Sequence, residues 1–176
     1  MNRIQQLLIL VAATTTLTGI SAARGRGANA ADDAYAPLRL YDGQWDVAPA
    51  AGGQKSTRIE NHCAKTGLFF VCEQTINGKV GGLSVFLPVA KLPTGGEEYR
   101  TQALRPNART PGDWGKLTIV GNRWVYSWEG TQNGKKVYGR NVNVFSGTDK
   151  IHFELQGSDD GKTWKVEKSG DEQRVR

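Results

Sequence analysis

The stretch RWVYSWEGTQNGKKVYGRNVNVF, residues 123–145, decides the fold. In its first half Trp124, Tyr126 and Trp128 fall on one side and Arg123, Ser127 and Glu129 on the other, the period-two pattern of a half-buried strand. Asn133-Gly134 then supplies the positive backbone angles that a two-residue hairpin demands. The chain returns with Val137, Asn141, Asn143 and Phe145 sharing a face. Asparagines on an inward face need partners, either water or a ligand. The unit is therefore an antiparallel hairpin with one mostly apolar side.

The same grammar extends in both directions. Strands are expected at Gln44 to Pro49, Lys55 to Ala64, Leu68 to Ile76, Gly82 to Leu87, Glu97 to Leu104 and Gly115 to Val120, and again at Arg123 to Gly130, Lys136 to Phe145, Lys150 to Gly157 and Lys162 to Ser169. Asn77-Gly78, Gly121-Asn122 and Asp160-Gly161 mark further hairpin turns. Leu117 and Ile119, and Ile151, Phe153 and Leu155, are expected to face inward, as are Leu83, Val85 and Leu87 opposite Ser84 and Phe86. The one expected helical piece is a turn or two around Pro37 to Tyr41, ended by Asp42-Gly43. About ten short strands joined by hairpins can stack or close, and closure removes unpaired edges. The expected fold is all-β, an antiparallel up-and-down barrel.

At the N-terminus, Arg3, an apolar run from Leu7 to Ala13 and small residues through Ala23 read as an export signal. The run is too short for a bilayer span, which takes about 20 apolar residues, and Thr14, Thr15, Thr16 and Thr18 interrupt it. Two small-x-small cleavage sites compete, Ser21-Ala22-Ala23 and Ala28-Asn29-Ala30. The later one divides the chain into a signal peptide, residues 1–30, and a single domain, residues 31–176; the alternative is an arm that is never removed. A periplasmic or secreted protein without stable membrane insertion is expected.

Cleavage there removes three arginines and no acids, leaving 20 of the 23 bases against 17 acids. The remaining Lys and Arg are scattered among turns with acids between them, unlike the basic face of a nucleic-acid binder, so no nucleic-acid partner is expected. The two cysteines, Cys63 and Cys72, lie in the exported portion, where they can oxidise. If the hairpin turns at about Lys65 to Leu68 they face each other at disulfide distance, and His62 faces Glu73. Cys-x8-Cys is not zinc spacing, and no metal is expected.

The segment Leu38-Arg39-Leu40-Tyr41-Asp42-Gly43-Gln44-Trp45 resembles the start of lipocalins and related calycin barrels, where a short helical turn precedes Gly-x-Trp on the first strand. Taken with Ser158-Asp159-Asp160-Gly161-Lys162-Thr163-Trp164, it is similar to an exported bacterial group of lipocalin-like domains of unknown function. The resemblance implies structural roles for Gly43 and Trp45, with Trp45 closing the barrel floor and Arg174 or Arg176 covering its indole by a cation–π contact. Ser158 to Trp164 also resembles the Asp-box hairpin of β-propellers, but it is one residue short and occurs once, so it reads as a turn held by Asp160. Lipocalin-like barrels include haem binders with an interior histidine. Here His62 and His152 alternate outward beside Arg58, Glu60 and Glu154, and no cofactor is expected.

The candidate ligand-binding residues are Trp124, Tyr126, Trp128, Asn141, Asn143 and Phe153, with Phe145, Trp164, Gln74 and Thr101 nearby. They describe either a packed core or a mostly apolar cavity with a few polar anchors. The leading expectation is a small, mostly apolar ligand. No nucleophile elbow, zinc motif or phosphate loop is present. A pocket enzyme of isomerase, cyclase or hydrolase type is the alternative, with Tyr126 and Asp46 or Glu129 for its chemistry. A third reading, a glycan- or protein-binding surface, requires Trp114, Trp124 or Trp128 exposed as a platform. The sequence sets no oligomeric state.

Overall fold

The computed structural model describes residues 34–48, 56–108, 112 and 114–176; the expected export signal and both cleavage sites lie outside the described residues. Ten strands follow one another: β1 (Gly43–Val47), β2 (Thr57–Thr66), β3 (Phe69–Ile76), β4 (Lys79–Lys91), β5 (Glu97–Leu104), β6 (Gly115–Val120), β7 (Arg123–Gln132), β8 (Lys135–Ser146), β9 (Lys150–Ser158) and β10 (Lys165–Arg174). Each pairs antiparallel with its sequence neighbour, and β1 pairs with β10, so the sheet is a closed up-and-down barrel. The expected turn chemistry is in place. Asn77, Gly78, Asn133 and Gly134 have φ of 50°, 73°, 52° and 75°, the left-handed pairs that reverse a twisted ribbon without splaying it.

A 3₁₀ helix, Pro37–Tyr41, precedes β1 and buries Leu38. Just before it, Tyr35 donates to the Leu68 carbonyl and stacks on Phe70 at 5.6 Å, and the Tyr99 hydroxyl donates to the Ala34 carbonyl. This segment closes the end of the barrel where β2 turns into β3. Trp45, on β1, is fully buried there. Its indole nitrogen donates to the Tyr41 carbonyl at 3.2 Å, and the Arg174 guanidinium lies 4.2 Å over its ring. Arg176 instead pairs with Asp149 at 2.5 Å. Arg174 also donates to the carbonyls of Leu40 (2.5 Å), Asp42 (2.6 Å) and Thr148 (2.8 Å). Gly43 is what lets it through: φ there is +112°, and a Cβ would lie 2.7 Å from Arg174 Nη1.

One expected face is reversed. Ser84 and Phe86 point inward, opposite Cys72 and Phe70, while Leu83, Val85 and Leu87 lie on the outer face beside Val71. The Asn77-Gly78 turn pairs Ile76 with Lys79 and Thr75 with Val80, but Gln74 then pairs with Gly82, leaving Gly81 as an extra residue. A bulge of one residue inverts every side chain beyond it. The tenth strand also starts later than expected, at Lys165 instead of Lys162. Asp160 accepts hydrogen bonds from the Lys162 and Thr163 amides, at 2.8 and 2.7 Å, and holds Ser158 to Thr163 as a turn. These bonds also hold its carboxyl down at about 2.

Candidate functional site

The inner face of β7 builds one wall. Trp124 is buried against Phe145, ring centroids 4.6 Å apart, and Tyr126 packs on Trp128 at 5.5 Å. Trp128 lies flat across its neighbour in the next strand, Gly139, where a Cβ would come within 2.5 Å of the indole Cζ2. Glycine there leaves the aromatic ring a backbone to cover. Tyr126 reaches over another glycine. A Cβ at Gly115 would meet the Tyr126 hydroxyl at 3.2 Å and Thr101 Oγ1 at 2.8 Å.

Trp124, Tyr126 and Trp128 line a cavity of about 710 Å³. Leu38 and Tyr41 from the 3₁₀ helix face it at the closed end, and Phe86, Leu117, Leu155 and Cys72 complete the apolar wall. Gln74, Ser84, Asn141 and Asn143 are the polar side chains along it. Gly81, Gly82, Leu104, Arg105 and Glu129 lie toward the opposite end of the strands. A chain of amides fixes the floor: Gln74 donates to Asn61 at 3.1 Å, and Asn61 donates to the Tyr41 carbonyl at 3.2 Å.

Among the described residues, three buried polar atoms on the inner face have no hydrogen-bond partner, Thr101 Oγ1, Asn141 Oδ1 and Asn143 Oδ1. The Asn143 side chain lies close enough to the Tyr41 phenol to act on it. Beside them, on β10, sits a group that the sequence reading missed. Glu172 faces inward opposite Ile151 and Val47, is 8 % exposed, and has its carboxyl pushed up to about 7 by burial. The Tyr41 phenol is pushed above its ordinary range by burial first and by the Glu172 charge second, with the Asn143 side chain acting the other way. Glu172 itself is not part of the cavity lining, whereas Tyr41 is.

Trp124, Tyr126, Trp128, Asn141 and Asn143 thus come together on the cavity wall, as does Gln74. Phe153 faces inward but is absent from that wall; its ring covers Gly170, where a Cβ would be 2.9 Å from Cε1. Trp164 lies elsewhere, stacked on Arg140 at 4.1 Å; Arg140 is on the outer side because its strand neighbours Gly139 and Asn141 face in. Asp46 pairs with Arg58 on the outer surface, and Glu129 pairs with Lys136 at 2.5 Å. His62 and His152 are exposed, near Glu60 at 3.4 Å and Asp171 at 2.7 Å. Of the tryptophans that a binding surface would present, Trp114 is 49 % exposed under Arg100, Trp124 is buried and Trp128 lines the cavity.

Cys63 and Cys72 are joined across the β2–β3 hairpin with Cα atoms 4.1 Å apart, and the bond faces the interior. It closes a loop of sequence separation 9, for which the chain-entropy estimate is about 2–3 kcal/mol. Reduction is therefore expected to lower the thermal midpoint; an unchanged midpoint in reductant would show that the staple contributes nothing.

The described part of the chain is a closed ten-stranded antiparallel barrel with an internal cavity. Among the described residues no cluster of His, Cys, Asp and Glu is placed to hold a metal, and no helix is long and apolar enough to cross a membrane. No protein-family model and no curated protein matches the chain.

Proposed function

We propose that this is an exported lipocalin-like protein that binds a small, mostly apolar molecule inside its barrel. The observation that carries the reading is the 710 Å³ cavity, within the range that encloses one small ligand. Its wall joins an aromatic stripe to a few polar side chains, the composition of a binding site rather than of a filled core. Gly43, Trp45 and Arg174 support the lipocalin-like part of the proposal, because their packing gives each a structural task at the floor. The disulfide supports a periplasmic or secreted location, where such bonds persist. A pocket enzyme would use a carboxylate on the cavity wall; Glu172 is not part of that wall, and Glu129, which is, is engaged by Lys136.

Titration with the lipophilic fluorophore N-phenyl-1-naphthylamine tests the proposal. Saturable, single-site enhancement is expected, with affinity reduced about tenfold in Trp128→Ala, the loss of one stacking wall. No saturable binding, together with an empty cavity by native mass spectrometry of protein purified from its own host, would overturn it.

A further inference from the structure

We infer that the outer face of β3, β4 and β5 is a self-association surface, on which a second copy of this chain docks about a twofold axis passing Val85. β4 turns Val80, Leu83, Val85 and Leu87 outward and ends near Val89; Val80 and Val89 are 62 % and 51 % exposed. Val71 on β3 stands opposite Val85, and Leu104 on β5 stands opposite Leu83, so the apolar side chains run on across three strands. Other outer faces carry the polar residues that water favours. β9 turns out His152, Glu154 and Gln156, and β10 turns out Asp171 and Gln173. Apolar side chains scattered singly over a surface are ordinary, whereas a contiguous stripe with a polar rim marks an interaction site.

The rim identifies the partner. Glu73 lies beside Leu83 on the β3 side and Arg100 beside Leu87 on the β5 side, so the two charges stand at diagonal corners about Val85. Neither makes an ion pair among the described residues; Arg100 stacks on Trp114, itself half exposed. A twofold axis lying in the face and crossing β4 at Val85 brings Glu73 of each copy to Arg100 of the other, the self-complementarity that an isologous pair requires. Arginine and tryptophan are also the residue types that anchor protein interfaces. An anionic lipid surface would call for bases around the apolar side chains and no acid among them. The barrel wall curves away on both sides, so contact is limited to about three strands, roughly 14 Å across, and about 30 Å along β4. That footprint, roughly 420 Å² per copy, belongs to the small class of interface, and the pair forms reversibly.

Sedimentation velocity of protein purified from its own host tests the inference. A dimer is expected at about 200 μM and a monomer at about 1 μM, the equilibrium of a small interface. Val85→Asp is expected to abolish the dimer and leave N-phenyl-1-naphthylamine binding unchanged, because Val85 is absent from the cavity wall. Glu73→Arg and Arg100→Glu should each weaken association by about tenfold or more, and the double variant should return to within about threefold of the parent. A monomer at the higher concentration overturns the inference; if that monomer sediments with phosphatidylglycerol vesicles and Val85→Asp does not, the face meets lipid instead. A dimer that survives Val85→Asp, or a double charge variant no better than the weaker single one, overturns it by placing the contact elsewhere. The charge variants decide the matter alone if Val85→Asp does not fold. Probe binding reports on the barrel interior, so the carrier reading stands or falls separately.

Discussion

Trp45→Ala is expected to destabilise the protein by about 3–5 kcal/mol, the range for deleting a large buried aromatic side chain. That is a large part of the 5–15 kcal/mol that a domain typically has. The indole is fully buried, donates to the Tyr41 carbonyl, packs edge-on against Phe145 at 6.4 Å and lies under the Arg174 guanidinium. Its removal leaves a cavity and also strips the apolar side of a cation that ties the 3₁₀ helix to the β8–β9 turn. Arg174→Lys should recover little of the arginine's contribution. A lysine has one point charge where the guanidinium makes three separate carbonyl contacts and a flat stack. Urea midpoints of the two single variants and the double variant would measure the coupling; additive losses, or a loss below about 1 kcal/mol for Trp45→Ala, would contradict the account.

The second large effect has the opposite sign. Glu172→Gln is expected to stabilise the protein at pH 8 by roughly 3 kcal/mol and to have little effect near pH 4. Burial raises the folded-state carboxyl from its ordinary value of 4.5 to about 7. Below the lower value both folded and unfolded chains hold the proton and the group is neutral to stability. Between the two the folded chain keeps a proton that the unfolded chain has lost, so stability falls as pH rises. Above the upper value the full cost of a buried carboxylate is present. The amide removes that dependence. In thermal terms the gain at pH 8 corresponds to roughly 6–12 °C, and a flat difference between variant and parent across this range would sink the assignment.

The sequence makes the barrel legible because its signals are local. Asn77-Gly78 and Asn133-Gly134 set turns by backbone angle alone, and the alternation in β7 through β9 places Trp124, Tyr126, Asn141 and Asn143 on adjacent inner positions once neighbours are paired. The features that escaped it depend on what lies across the barrel. Gly81 looks like any strand glycine, yet its bulge exchanges Phe86 for Val85 on the inner face. Lys165 to Arg174 shows almost no apolar alternation, since its inner positions are Gly170, roofed by Phe153, and Glu172. Period two read backward from Arg174 would have found Glu172. Tyr41 gives no local sign of being part of a cavity floor, because that role comes from the closure of the barrel around the 3₁₀ helix.

Among the described residues nine of the ten strand pairings join consecutive strands, and the tenth, β1 with β10, joins residues 125 to 129 apart, from Val47 with Glu172 to Trp45 with Arg174. Loop closure over that distance is entropically the most demanding step, so hairpins can assemble rapidly while the seam zips up late. Interactions absent from the transition state act on the unfolding rate. The arginine and tryptophan at the seam are therefore expected to govern how long a folded molecule survives more than how fast it forms, a kinetic latch on the closed barrel.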